Sequence, residues 1–456
     1  MTTSANSSRA DQSPIAFGSG VSTRPHLQAA EEACDLAKAA LVDSGVRRGD
    51  VDLAVVFVSG EHAANLRTLS LVIRHRLAPR CIIGVTGEGV VAGEQEFERT
   101  QGVAVLAGRL PGVEFTPFCS TDLPAIYGST EPTQTIHEKS PDDQADLAHL
   151  ASAAGMKPGH RATLLFADPF STPLDRLLPG LSSARALCGP AGGGRQGPII
   201  GGLASASTRR GGNALLLNDR MFDAGLVGVS LGGPVRVDCV VSQGCRGFGP
   251  PMVVTSANGQ LIRSLGGRPA LEVLHELIEL LSDDDRELLS RGLFIGRVVN
   301  EYKDRFGRDD FLIRTVPGVL KDAGAIAVSD HVRVGQTIRF HVRDARSADE
   351  DLAMLMDAQR LYDTPAGAIL ITCNGRGSRL FSRPNHDAAA VARIFDAADA
   401  EGAGEQLAKV GTAMRTHPRR APLAGFFAAG EIGPVGNETY LHGQTACIAL
   451  FRPPTP

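Results

Sequence analysis

The segment Thr372-Cys373-Asn374-Gly375-Arg376-Gly377-Ser378 sets a thiol, a carboxamide and a guanidinium among glycines, directly after the apolar run Gly367–Thr372. In α/β proteins the end of a strand is where side chains and free backbone amides converge on a ligand. Gly375 and Gly377 let the backbone approach closely, Asn374 can donate and accept, and Arg376 can grip a carboxylate or phosphate in a bidentate fork. The plainer alternative is a tight turn whose Asn and Arg only satisfy backbone groups. A second loop of this kind is Ala429-Gly430-Glu431-Ile432-Gly433-Pro434. A carboxylate there is exposed by default, so a solvated turn residue is its plain reading. Arg339-Phe340-His341-Val342-Arg343-Asp344 alternates as a half-buried strand does. Arg343 suits a pocket or an ion pair equally, and Asp344 suits an ion pair. In Pro384-Asn385-His386-Asp387, Asp387 reads as a helix N-cap. His386 and His442 are lone histidines.

Other chemistries are not written in the residues. The eight cysteines are dispersed without a CxxC pair, several of them inside apolar runs, so neither a zinc knuckle nor a redox dithiol is expected, and a reducing compartment is. No His-x-x-x-His pair or carboxylate cluster stands at metal-ligand spacing, and the glycine-rich Gly189–Arg195 lacks the Gly-Lys-Ser/Thr of a phosphate loop. No metal and no cofactor is assigned. With a formal net charge of −4, scattered Lys and Arg, no Trp and four Tyr, nucleic acid is a poor partner. Met1–Ser13 lacks the apolar stretch of a signal peptide and reads as a disordered tail. No apolar run is long enough to cross a bilayer. A cytoplasmic location, without membrane insertion, is expected.

The elements that must position these residues form an internal repeat. Each copy has an apolar strand, a helix, a second strand that breaks at glycine, and a closing strand. The first copy uses Asp52–Val58, a helix near His62–Leu77, Cys81–Gly87 and Gly102–Leu106. The second uses Ala162–Ala167, a Leu-rich helix after Thr172, Pro198–Ser205 and Gly225–Leu231. The third uses Gly367–Thr372, a helix near Asp387–Ala397, Pro422–Ala428 and Gln444–Leu450. In this register Glu431 falls close to Glu88 and Ser205, and equivalent loops of repeated units often line one cleft. Short apolar runs bounded by Gly or Pro favour buried strands. The predicted fold class is α/β, with mixed β-sheets covered by helices and repeated β-α-β-β units, for which a layered α-β-β-α sandwich is one arrangement. Pro124–Arg161 reads as a surface insertion with a helix near Asp142–Ala154. Met252–Thr255, Asn258-Gly259 and Leu261–Leu265 predict a hairpin, followed by an amphipathic helix from Pro269 to about Leu281. At 456 residues two domains are expected, over 14–245 and 246–456, after the tail 1–13.

From about Asp50 onward the chain resembles the FIST domain family. Ile200-Gly201-Gly202-Leu203-Ala204-Ser205 followed by Gly225–Val229 is similar to the N-terminal FIST domain. Gly244-Cys245, Val254-Thr255, Asp310–Arg314, Gly335-Gln336, Phe340–Asp344, Cys373-Asn374-Gly375-Arg376-Gly377 and Gly430-Glu431-Ile432-Gly433-Pro434 are similar to the C-terminal one. The resemblance implies a sensory module for a small ligand, such as an amino acid or a related metabolite, and brings no catalytic residue set. No kinase, cyclase, receptor or F-box segment accompanies it here, so output through a separate signalling protein is expected. The expected ligand-binding residues are Cys373, Asn374, Gly375, Arg376, Gly377, Gly430, Glu431, Arg343 and Ser205, with Arg376 on an anionic group and Glu431 on a cationic one. Two other readings stay open. One is a hydrolase or transferase using Cys373, with His341, His386 or His442 as base. The other is a protein-interaction scaffold.

Overall fold

The structure is a computed structural model that describes residues 14–44, 51–128, 143–188, 196–395 and 421–454. The expected tail 1–13, the Gly189–Arg195 loop, residues 129–142 of the 124–161 insertion and the end of the 387–397 helix lie outside the described residues.

The repeat is present, and it is longer than the β-α-β-β unit expected. The first copy runs β1 (Ala16–Ser22), helix His26–Asp43, β2 (Leu53–Ser59), helix Leu66–Leu77, β3 (Cys81–Gly87), β4 (Gly89–Ala92), β5 (Gln95–Glu98) and β6 (Val103–Arg109). The second runs β7 (Glu114–Cys119), helix Asp143–Ala153, β8 (His160–Ala167), helix Leu174–Leu187, β9 (Ile199–Leu203), β10 (Leu215–Leu217), β11 (Arg220–Phe222) and β12 (Leu226–Gly232). The third opens with β13 (Arg236–Gln243) and is then interrupted. The interruption carries β14 (Cys245–Asn258), β15 (Leu261–Leu265), β16 (Arg268–Pro269), β17 (Leu293–Val298), β18 (Phe311–Thr315), β19 (Gly318–Leu320), β20 (Ala325–Ala327) and β21 (Thr337–Arg343). The third copy resumes with helix Ala345–Gln359, β22 (Gly367–Cys373), a helix over 386–395, β23 (Leu423–Ala428), β24 (Glu431–Val435), β25 (Glu438–His442) and β26 (Thr445–Arg452).

Each copy builds most of one mixed, six-stranded sheet and lends a hairpin to another. The sheet orders are β1-β6-β2-β3-β10-β11, β7-β12-β8-β9-β24-β25 and β13-β26-β22-β23-β4-β5. The hairpin β4–β5 pairs with β23, β10–β11 with β3, and β24–β25 with β9, so the exchange runs round all three copies. The parallel pair in each sheet joins the second and third strands of its copy, as a right-handed strand–helix–strand crossover allows.

Alternation along the strands explains the layers. Val55 and Phe57, Leu164 and Phe166, and Ile369 and Ile371 all enter one central core. Three sheets, where a layered sandwich has two, enclose it. Phe57, Phe166 and Phe426 meet there with centroids 5.5–5.9 Å apart. The intervening residues face the outer helices, as Ala54, Val56 and Val58 do under His26–Asp43 and Leu66–Leu77. Burial on both faces is why these strands read as continuous apolar runs.

The inserted strands form an eight-stranded sheet of order β18-β17-β21-β14-β15-β20-β19, with β16 on β15. The predicted hairpin at 258–259 is β14–β15, with Gly259 at φ +59° in its turn. The predicted helix is Ala270–Glu279, burying Leu271, Val273 and Leu274 against one face of this sheet. The other face carries Cys245, Phe294, Val298, Phe311 and Ile313. Asp344 pairs with Arg246 at 2.9 Å and caps helix Ala345–Gln359 through the Arg346 amide. The expected boundary at 245/246 lies where β13 passes into β14. The described residues contain no helix long and apolar enough to cross a membrane.

Candidate functional site

The Cys373–Gly377 segment turns back beneath the end of β22. Arg376 N donates to Cys373 O at 2.8 Å, and Gly377 takes φ +55° with Phe427 and Glu98 packed on its α-carbon. This fold carries Arg376 inward until it is 0% exposed. Its Nε and Nη2 hold the Asp387 carboxylate at 2.7 and 2.8 Å. Asp387 also accepts from Thr372 Oγ1 at 2.7 Å, so its carboxylate serves Arg376 and Thr372 in place of the helix amides expected of an N-cap. His386 faces Asp387 through Nδ1 at 2.9 Å and Asp349 through Nε2 at 2.8 Å, and its ring stacks on Phe381. Carboxylates on both nitrogens suit an imidazolium. Burial opposes that charge, but the bond to Asp387 and its charge raise the His386 pKa. Burial likewise opposes ionisation of Asp387, yet the adjacent guanidinium holds its carboxyl well below the usual range.

Glu431, expected as a ligand-binding residue with a solvated turn as its plainer reading, is the first residue of β24 and also 0% exposed. Its Oε2 accepts from Thr445 N and Oγ1 at 3.1 and 2.6 Å, with the Cys373 thiol close by. Strand register sharpens the point. Phe57, Phe166 and Ile371 are equivalent in the three copies, and their neighbours Val85, Gly202 and Phe426 pair across the lent hairpins with Leu215, Glu431 and Val90. One copy has a buried carboxylate where the other two have aliphatic residues. Burial pushes its pKa up to about 8, against the pull of Thr445 and Arg376, so Glu431 is mostly protonated near neutrality.

Three buried polar atoms of this cluster have no partner among the described residues: Arg376 Nη1, Glu431 Oε1 and Gln444 Oε1. Gln444, which the sequence reading missed, sits at φ +63°, a conformation that side-chain-bearing residues adopt sparingly. Two glycines make room for the cluster. A Cβ on Gly244 would stand 3.0 Å from Arg376 Nη1, and one on Gly375 would stand 2.6 Å from Gln444 Oε1.

The predicted residues divide. Cys373–Gly377 and Glu431 come together, and Arg343 joins them by donating Nη1 to Gly375 O at 3.0 Å. Gly430 O accepts from Leu203 N at 2.8 Å, holding β24 against β9. Ser205 stands to one side, donating to Phe427 O and accepting from Glu88 N, while Glu88 pairs with Arg379.

On the far side of Gln243-Gly244-Cys245 lies a cleft of about 280 Å³, between this part of the core and the inner face of the inserted sheet. Arg246, Arg308 and Arg339 line it with His341, Gln243 and the rings of Phe306 and Phe311. Sequence reasoning gave these positions no role except for His341, because they converge only when the insertion folds over β13. The described residues hold no group of His, Cys, Asp and Glu that could seat a metal.

Cys373 is poorly placed as a nucleophile. It is 4% exposed, burial and the neighbouring Glu431 push its thiol far above the usual range, and its thiol meets Gly375 N at 3.4 Å and Asn374 Oδ1 at 3.9 Å, with no histidine among its described hydrogen-bond partners. Iodoacetamide at pH 7.5 is expected to label Cys188 and Cys239, both partly exposed, well before Cys373. Preferential labelling of Cys373 would restore the thiolate reading.

Fold and cleft together define a class: an α/β protein that walls a small polar cavity between a repeated core and an inserted sheet, as ligand-binding proteins do. Residues 52–268 match the FIST N domain and residues 270–434 match the FIST C domain, and the chain belongs to the FIST family. That membership supports a sensory, ligand-binding domain. It is similar to Uncharacterized protein Rv0628c of Mycobacterium tuberculosis, 36% identical over 444 residues, covering 95% of this chain and 99% of the relative. It is also similar to Uncharacterized protein Mb0898c of Mycobacterium bovis, 35% identical over 443 residues, covering 95% and 98%.

Proposed function

We propose that this protein is a cytoplasmic small-ligand sensor of the FIST type, which takes an amino acid or a related small metabolite and relays its presence to a separate signalling protein. The observation that carries the reading is the cleft between the inserted sheet and the third repeat, whose lining is cationic and holds no carboxylate. A ligand carboxylate there meets guanidinium donors in a partly dry setting, where such bonds are strong. The shared wall gives the relay a physical basis. Gln243 and Cys245 face the ligand, and Gly244 between them faces Arg376 and Gln444. Ligand occupancy would therefore press on the Cys373–Gly377 segment, Glu431 and Arg343 from behind, with Ser205 and Gly430 at the edge of the responding region. Arg376 answers Asp387 and Glu431 is mostly neutral, so these two favour a positioning role over a direct grip on ligand charge. Eight free cysteines suit a reducing compartment.

Isothermal titration with pooled small carboxylates and amino acids is expected to show saturable binding that Arg339→Ala weakens at least tenfold. The reading fails if no pool binds, or if binding is indifferent to Arg339.

A further inference from the structure

The charges and hydrogen-bonding capacity of the cleft define its ligand more closely. Of the three guanidiniums, Arg246 is answered by Asp285 and by Asp344 at 2.9 Å. Arg308 lies 3.8 Å from Asp351 and donates to Ser347 O. Arg339 donates Nε to Gly249 O at 2.8 Å and has no carboxylate within ion-pair distance among the described residues. Arg339 is thus the one lining guanidinium without a carboxylate partner among the described residues.

Two neutral acceptors accompany it. His341 Nδ1 lies 2.9 Å from Arg339 O; a carbonyl only accepts, so Nδ1 carries the proton and Nε2 keeps a bare lone pair. Burial, with Arg339 nearby, pushes the His341 pKa down to about 4 and keeps the ring neutral. Gln243 donates Nε2 to Phe311 O at 2.8 Å, which leaves Oε1 as the amide's acceptor. Phe311 touches both residues, for its ring meets the His341 ring edge-on at 5.2 Å. Two glycines shape this face. A Cβ on Gly247 would stand 2.8 Å from Arg339 Nε, and one on Gly296 would stand 2.5 Å from His341 Cε1. Larger residues would displace both functional side chains. Phe306 and Phe311, 5.9 Å apart, supply an apolar wall for the body of a ligand.

We infer that this cleft takes a small monoanionic carboxylate whose second recognised group is a neutral hydrogen-bond donor, a hydroxyl or an acylated amine, in preference to the free ammonium of an amino acid. The inference rests on the proposed ligand site and narrows its occupant. The carboxylate answers Arg339, and the neutral donor reaches His341 Nε2 or Gln243 Oε1. An ammonium in that place would be desolvated near Arg339, with no lining carboxylate to answer it. A hydroxyl or acyl N–H satisfies the same acceptors without that charge.

The test is titration of the full chain with matched sets: alanine, N-acetylalanine and lactate, then phenylalanine, N-acetylphenylalanine and phenyllactate. In at least one set the acylated or hydroxylated member is expected to bind at least tenfold tighter than the free amino acid. Gln243→Glu, which places a carboxylate beside the second group, is expected to narrow or reverse that preference, and circular dichroism would confirm that the variant folds. Free amino acids binding as tightly as their acylated or hydroxylated partners would overturn the inference and leave the ligand site standing. Failure of every carboxylate to bind would overturn both.

Discussion

Asp387→Ala is expected to lower the unfolding free energy by about 3–5 kcal/mol, the range found when one member of a buried ion pair is removed. The reason is the position of its partner. Arg376 is wholly buried and gives two of its nitrogens to Asp387, so deletion of the carboxylate strands a full positive charge in the interior. Thr372 Oγ1 and His386 Nδ1 lose their acceptor in the same step. Removing the charge along with its partner tests the cause. An Arg376→Met, Asp387→Leu double variant is expected to recover most of the loss, because a buried pair is worth little more than apolar side chains of similar volume. Arg268 and Glu276 pair at the surface with both side chains about half exposed and screened by solvent, and Glu276→Ala there is expected to shift the unfolding midpoint far less. Guanidinium denaturation of the four proteins checks the series. A loss under about 1 kcal/mol for Asp387→Ala would mean that Arg376 finds solvent or another carboxylate, and the buried cluster would have to be redrawn.

The repeat was legible in the residues because its physical demand recurs. Gly84, Gly201 and Gly425 hold one position of the third strand in each copy. A Cβ there would stand 2.8, 1.6 and 1.8 Å from the carbonyl oxygens of Val56, Leu165 and Leu370, which are themselves equivalent. The apolar runs were legible for a related reason: both faces of the inner strands are buried, so nothing polar interrupts them. The hairpins were not. β10 and β11 are three residues each, and β10 docks on β3, more than a hundred residues away, which no local pattern encodes. The first strands of the second and third copies escaped as well, since β7 and β13 are partly exposed edge strands with mixed burial.

At the site, Cys373–Gly377 was found through its position at a strand end, and Glu431 through its place in the repeat. Their surroundings were hidden. Asp387 stands where a helix cap is expected, and only the inward turn of Arg376 makes it an ion-pair partner. Gln444 carries no sequence signal beyond its place before the last strand. Arg339 and His341 belong to a strand whose alternation is visible, but the cleft beside them exists only because the insertion closes over β13 and Gly244.

The net effect of Glu431 on stability is expected to change with pH in a direction opposite to an ordinary paired carboxylate. Burial pushes its pKa up to about 8 from an unfolded value near 4.5, while Thr445, Arg376 and Cys373 pull it back only in part. The folded state therefore binds this proton more tightly than the unfolded chain. The stability it confers is complete below about pH 4.5 and is lost as pH rises through 8. At 1.36 kcal/mol per pH unit the whole loss is on the order of 5 kcal/mol. Glu96, pushed up to about 7 by burial and the nearby Asp387, acts in the same sense. His160, His341 and His442 act oppositely: burial pushes each down to about 4, so their contribution is present above 6.5 and is lost as pH falls toward 4. Wild-type stability should therefore peak near pH 6, and a comparison with Glu431→Gln isolates the one carboxyl. The amide keeps the shape and cannot ionise, so the two proteins should differ little in slope below pH 4.5. The variant should then gain on the wild type steadily up to pH 8.5, in denaturation curves taken at half-unit steps. A pH-independent difference would show that Glu431 keeps an ordinary carboxyl pKa, which a residue sealed between β9, β26 and the Arg376 cluster has no means to do.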